Sequence, residues 1–192
     1  MLTGKKIVLG VSGGIAAYKM ANVASMLSKL HADIHVVMTE NATHFITPET
    51  FEVLTGNHCY TDTFDRCMEL HVPHIALGTQ ADAILIAPAS ADVVGKIANG
   101  IADDMLTTCV LPATCPVMLA PSMNVHMYEN PIVQDNMKKL VSYGYEIIEA
   151  DEGYLACRDI GKGKLPPEHV LVDYIIPVSY THLRAHETEL HL

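Results

Sequence analysis

Positive charge is the first thing this chain is short of. Its 192 residues carry 12 Lys+Arg against 22 Asp+Glu, so it lacks the clustered cations that broad nucleic-acid binding requires. It also lacks a C-x-x-C pair and any regular cysteine spacing. Its cysteines number five, an odd count, which points to reduced thiols in a cytosolic protein rather than a disulfide framework. The histidines are scattered, which argues against a structural zinc site, and no metal is expected. No apolar run is long enough to span a bilayer, and the opening MLTGKKIVLGV runs straight into a strand without a signal-peptide pattern. Internal repeats and linkers are missing as well. The expectation is a single soluble, cytoplasmic domain whose partners are small molecules, with no nucleic acid and no membrane.

What the chain does have is apolar strand. Hydrophobic residues make up 49% and charged residues 18%, a balance typical of a globular α/β protein with a full-sized core. KKIVLGV, ADIHVVMT, ADAILIAPAS, CPVMLAPSM and GYEIIEA are short Val/Ile-rich runs bounded by turn residues, and they read as buried strands. Helical stretches lie between them at Ile15–Lys29, Thr47–Leu54, Asp92–Asn99 and Pro131–Ser142. The alternation predicts an α/β fold, a single doubly wound, mostly parallel sheet with helices on both faces, Rossmann/flavodoxin-like. Ligands bind such sheets at the carboxyl ends of the strands. The end of the chain, VSYTHLRAHETELHL, extends no apolar period, and Val178–Thr188 resembles a translated sequencing adaptor. The domain is therefore expected over residues 1–177, with 178–192 a non-native tail and the natural protein continuing past Pro177.

The strand ends carry the residues of interest. The first strand runs into GVSGGIAAYK, where Gly13 and Gly14 let the backbone turn tightly and open a helix whose free N–H groups favour an anion. Tight strand-to-helix packing explains those glycines equally well. Their spacing is not G-x-G-x-x-G. The second strand ends VVMTE, with Thr39 where a dinucleotide-binding fold shows a ribose-reading acid, although Glu40 follows directly. A hydroxyl there suits a terminal phosphate, so a mononucleotide such as FMN is preferred to NAD. In APASADVVGKIANGIADDML, Pro88 is expected to stop the third strand. Ala89, Ser90 and Ala91 would admit something flat, and Asp92 would cap the next helix. In APSMNVHMYENP, Asn124 sits between Met123 and Met127 at a strand end, where its amide must satisfy buried backbone or meet a polar ligand. In GYLACRDIGKGKLP, Cys157 lies beside Arg158, Lys162 and Lys164 in what reads as a mobile loop, a setting that lowers a thiol pKa. Cys109 and Cys115, by contrast, read as buried thiols on apolar elements.

With GGIAAYK, PASADVVGKIANGIADDML, PSMNVHMYENP and LACRDIGKGK in this order, the chain resembles the flavin-containing cysteine decarboxylases. The branch it resembles most is the phosphopantothenoylcysteine decarboxylases of coenzyme A biosynthesis, over roughly residues 4–176. The resemblance implies a homotrimer or a multiple of trimers with FMN between neighbouring subunits. It implies FMN contacts from Gly13, Gly14, Thr39, Ser90, Ala91, Asp92 and Ser122, a substrate carboxylate held by Asn124, and catalysis by Cys157 and His74. It also implies the chemistry: oxidation of the substrate's thiol end to a thioaldehyde, decarboxylation to an enethiolate, and re-reduction. A CTP-dependent synthetase half often follows this domain in bacteria. Three positions depart from the pattern: Asp92 and Val93 stand where the family has asparagine and threonine, and Arg158 where it has glycine. The rival functions are a flavin prenyltransferase, a peptidyl-cysteine decarboxylase and a phosphatase-regulatory relative of the same fold.

Overall fold

The computed structural model describes residues 1–64, 72–154, 156 and 159–177. The main sheet has six strands: β1 (Lys6–Val11), β2 (Asp33–Met38), β3 (Cys59–Tyr60), β4 (Ala83–Ala89), β5 (Val117–Pro121) and β6 (Glu146–Ile147). Their spatial order is β3-β2-β1-β4-β5-β6, and each pairing is parallel. The doubly wound reading therefore holds, in the Rossmann strand order.

Strand periodicity explains why the runs are apolar throughout. Ile7, Leu9 and Val11 enter one core and Val8 the other, and β4 divides the same way, with Leu85 on one face and Ile84 and Ile86 on the other. A parallel sheet covered on both faces needs apolar side chains at consecutive positions. The first core is closed by α1 (Met20–Lys29), α2 (Pro48–Thr55) and a helix over 168–177, through Leu27, Phe51 and Leu171. The second is closed by α3 (Pro73–Gln80), α4 (Ala91–Ala98), α5 (Met105–Val110) and α7 (Pro131–Ser142), through Leu77, Val94, Leu106 and Leu140. A short α6 (Val125–Tyr128) links β5 to α7. Among the described residues no helix is long and apolar enough to cross a membrane.

Several local expectations are corrected. The helix expected from Ile15 starts as a 3-10 turn, Ile15–Lys19, and becomes α-helical at Met20. Pro88 does not stop β4. The strand runs to Ala89 and absorbs the proline as a register shift between Ile86 and Ala89, because Pro has no N–H to offer the ladder. Ser90, not Asp92, caps α4: its hydroxyl accepts from Val93 N at 3.3 Å, while Asp92 lies in the first turn and pairs with Lys96 at 3.2 Å. Cys109 is buried on α5, but Cys115 sits in the bend ahead of β5, half-buried. The glycine-lysine stretch is no loop. It forms an antiparallel hairpin of β7 (Asp151–Tyr154) and β8 (Ile160–Lys164).

Candidate functional site

The strand order reverses between β1 and β4, and a crevice opens beyond their carboxyl ends. Ser12, fully buried, clips the two ends together. Its hydroxyl donates to the Pro88 carbonyl at 2.6 Å and accepts from Ser90 N at 2.9 Å. Sequence reasoning passed over this serine, although its place between a strand and two glycines marks the turn. The two glycines after it differ. A Cβ on Gly13 would sit 2.5 Å from Asn41 Cβ and 3.1 Å from the Asn41 carbonyl carbon, so Gly13 is glycine for packing. A Cβ on Gly14 would meet only Pro88 Cγ, at 3.8 Å, within 4 Å. Its backbone is extended, with φ −167° and ψ 153°, which any residue adopts. Gly14 is small next to open space.

That space is a cavity of about 510 Å³. Six of the expected site residues line it: Gly13, Gly14, Ser90, Ala91, Ser122 and Asn124. Apolar side chains from Ile15, Tyr18, Met123, Met127 and Leu165 add to its wall. The β7–β8 hairpin supplies Tyr154 and Lys164, and α1 is preceded by Lys19, so two cations border a mostly apolar hollow. Tyr18, Lys19 and Tyr154 went unassigned in the sequence, where nothing marks an exposed tyrosine as a wall of a site.

The hairpin owes its seat to its glycines. A Cβ on Gly161 would lie 2.6 Å from Val125 Cγ2, and one on Gly163 would collide with the Met123 carbonyl oxygen. Gly163 also has φ +137°, a region side-chain-bearing residues rarely adopt. Its carbonyl accepts from Met123 N at 3.0 Å. Alternation then sends the lysines elsewhere: Lys162 pairs with Glu149 at 3.1 Å, and Lys164 borders the cavity. Asn124 is the second point of attachment. Its Oδ1 accepts from His126 N at 2.9 Å, capping α6, and its Nδ2 donates to Asp159 Oδ2 at 3.0 Å.

Other expected residues lie elsewhere. Thr39 is buried and caps the 3-10 turn Glu40–His44, accepting from Ala42 N at 3.3 Å; it does not border the cavity. Asp92 faces Lys96 instead. His74 lies in the first turn of α3, away from the cavity lining, and its Nδ1 is buried with no hydrogen-bond partner among the described residues. Cys157 and Arg158 lie outside the described residues. The described cysteines are free and electrostatically quiet. Burial, with minor help from nearby acidic groups, pushes the thiols of Cys59 and Cys109 up to about 12 and that of Cys115 to about 11. No cluster of His, Cys, Asp and Glu able to hold a metal occurs among the described residues.

Residues 1–179 match the Flavoprotein family model. The chain belongs to the Flavoprotein family. Within it, the chain is 49% identical over 172 residues to the coenzyme A biosynthesis bifunctional protein CoaBC of Bacillus subtilis, an alignment that covers 89% of this chain and 42% of that protein. It is 42% identical to a probable phosphopantothenoylcysteine decarboxylase of Streptococcus mutans, over 89% of this chain and 97% of that one. Among solved structures, it superposes on a PPC decarboxylase cysteine-to-serine mutant complexed with pantothenoylaminoethenethiol. The TM-score is 0.80 at 29% identity, covering 89% of this chain and 96% of the other. The FMN-dependent cysteine decarboxylase SpaF gives 0.74 at 34% identity, covering 90% and 98%. The chain thus spans about two-fifths of the bifunctional flavoproteins and nearly all of the single-domain ones.

Proposed function

We propose that this chain is a phosphopantothenoylcysteine decarboxylase, converting 4′-phospho-N-pantothenoyl-L-cysteine to 4′-phosphopantetheine with FMN in the cytoplasm. The observation that carries the reading is the position of Asn124: an amide donor in the wall of the same cavity that Gly14 and three small residues leave open. The relatives named decarboxylase and FMN-dependent cysteine decarboxylase support it.

The residues present fit FMN. The hollow falls in the size range of cofactor sites, about 300–1,000 Å³, and lies at the switch point of the sheet. Ser90, Ala91 and Ser122 leave room for a flat ring, and Gly14 leaves room beside the turn after β1. Bound there, FMN supplies a reversible two-electron acceptor for the thiol-bearing end of the substrate. The chain does the rest. Asn124 holds the substrate carboxylate by its N–H donor, with Oδ1 fixed on α6 so that the amide cannot flip. Lys19 and Lys164 draw an anionic, phosphorylated substrate towards the cavity. Cys157 delivers a proton from its thiol to the decarboxylated enethiolate as that intermediate is re-reduced. Thr39, buried beside the turn, supports the phosphate end through the 3-10 turn it caps, and Asp92 in the first turn of α4 holds Lys96 in its last.

His74 is the residue that a single chain leaves unused. In a homotrimer, or a multiple of trimers, its half-buried ring faces the cavity of a neighbouring subunit and meets the substrate there. A synthetase half following residue 177 accounts for the share of the bifunctional relatives that this chain leaves unmatched. The test is mass spectrometry of the protein incubated with 4′-phospho-N-pantothenoyl-L-cysteine and FMN under reducing conditions. The expected product is 4′-phosphopantetheine, lighter by one carbon dioxide. FMN-bearing protein that leaves this substrate intact but decarboxylates a peptide ending in cysteine would transfer the reading to the peptidyl branch.

A further inference from the structure

Acids outnumber cations in this chain, 22 Asp+Glu to 12 Lys+Arg, so a partner is available to nearly every lysine. Lys5, Lys6, Lys96, Lys138, Lys139 and Lys162 each meet a polar side chain. Lys29 is exposed in the last turn of α1, where a cation suits the helix dipole. Lys19 and Lys164 have no such partner among the described residues, and both border the same cavity. They reach it from different sides. Lys19 ends the 3-10 turn that follows Gly14, where the fold leaves room for FMN. Lys164 comes from β8 of the hairpin.

The hairpin is built to part Lys164 from its neighbours. In the β7–β8 register Glu152 faces Lys162 and Asp151 faces Lys164, so Gly163 is an extra residue in β8. Such a bulge re-aims the side chain that follows it. Gly163, at φ +137°, is the residue type that the bend requires. Lys162 pairs with Glu149 at 3.1 Å, whereas Lys164 makes no ion pair among the described residues, even with Asp151 across from it. Its stem lies across the β7 backbone instead. A Cβ on Gly153 would stand 3.5 Å from Lys164 Cδ and 3.7 Å from Nζ. Tyr154, the next residue, borders the cavity too. Lys164 is exposed, so its ammonium stands at the rim of the hollow and not on its floor.

We infer that Lys164 is the specificity residue for the terminal phosphate of the substrate, aimed there by the bulge at Gly163, a role that rests on the decarboxylase reading above. 4′-Phospho-N-pantothenoyl-L-cysteine carries its two anions at opposite ends of a long chain. The carboxylate must leave as carbon dioxide, and a cation against it would hold the charge in place and slow that step. Asn124, a neutral donor, suits that end. The phosphate does not react and is strongly hydrated, so it binds with the least loss of solvation at the rim. A flexible ammonium meets it there as a point charge. A substrate without the phosphate, such as a peptide ending in cysteine, gains nothing from Lys164.

The test compares two ligands on the FMN-loaded protein. 4′-Phospho-N-pantothenoyl-L-alanine and N-pantothenoyl-L-alanine lack the thiol, cannot be oxidised and differ only in the phosphate. Calorimetry reads the affinity of each. The unaltered protein should favour the phosphorylated ligand by about tenfold or more, the scale of one hydrogen bond to a charged group. Lys164→Met should remove about tenfold of that preference and raise the KM of the phosphorylated cysteine substrate by about the same factor. Lys164→Arg, which keeps the charge, should retain the preference. Lys162→Met lies on the same hairpin but removes a lysine that is already paired, and it should leave the preference as it was.

An equal loss of affinity for both ligands in Lys164→Met would place the ammonium at the carboxylate end and overturn the inference. A preference that survives in Lys164→Met, or that the unaltered protein never shows, would make Lys164 a solvated charge and overturn it too, with the decarboxylase reading intact. Unaltered protein that retains FMN, binds neither ligand and leaves the cysteine substrate whole would overturn both.

Discussion

Two glycine-bearing segments wall the same cavity, and they are built on opposite principles. The turn after β1 grows out of a strand buried from Ile7 to Val11, with Ser12 sealed between β1 and β4 and Gly13 pressed on Asn41. The β7–β8 hairpin carries exposed side chains at Asp151, Glu152, Tyr154, Ile160 and Lys162 and leans on the body through α6 and the segment ahead of it. In the turn, core packing sets the geometry and the ligand-facing atoms come as a by-product. In the hairpin, a few polar contacts and two close glycine approaches set it. A cofactor cradle suits the first design, since it must keep its shape between turnovers. Groups that meet the changing substrate suit the second.

The sharpest way to break the comparison is Gly163→Ala. The added methyl collides with the Met123 carbonyl, and φ +137° is strained for alanine, so the substitution costs about 2–5 kcal/mol of hairpin docking. Decarboxylation should fall by roughly a hundredfold or more, since about 1.4 kcal/mol is tenfold. The thermal midpoint of the sheet should scarcely move, as read by turnover and circular dichroism on one sample. Gly13→Ala is the opposite case. It crowds the backbone of the 3-10 turn at Asn41 and should lower global stability by about 1–3 kcal/mol, seen in urea unfolding of the apo protein. Ser12→Ala leaves the part-buried Ser90 N–H without its acceptor, a loss of about 1 kcal/mol in the same assay. Gly14→Ala sharpens the contrast within one turn. The chain has room for the methyl, so apo stability should hold, while FMN affinity drops by about tenfold because the methyl enters the cavity, measured by flavin fluorescence titration.

The smallest effect concerns the core thiols. Cys59 and Cys109 rise from the ordinary 9.0 to about 12, chiefly by burial. The folded protein therefore keeps protons that the unfolded chain releases. Their contribution to stability is complete below pH 9.0 and declines as pH rises towards about 12. Denaturant midpoints taken across that window should slope less steeply in Cys109→Ala. Maleimide should leave Cys59, Cys109 and Cys115 unlabelled at neutral pH until the protein is unfolded.

Sequence and structure agree where one local rule decides. The runs at β1, β2, β4 and β5 were legible because a strand buried on both faces must be apolar at every position, and α7 because Asn130 and Pro131 mark its start. The short elements were not. β3 has two residues and α6 four, too few to show a period. The hairpin read as a loop because its glycines signal flexibility in isolation, whereas here they answer to Val125 and Met123, neighbours about forty residues away along the chain. Thr39 and His74 show the same limit in the site. Their residue types suit the roles expected of them, yet neither borders the cavity of its own chain.

The sequence by itself determined the parallel sheet, its doubly wound layering and the family, because hydrophobic period and ordered motifs are properties of neighbouring residues. Tertiary structure alone decided which glycine packs and which opens onto the cavity, and which lysine is already paired. It alone brought the Asn124 amide to the Asp159 carboxylate. Those outcomes depend on which atoms of distant segments come within a few ångströms, and no pattern along the chain encodes that distance.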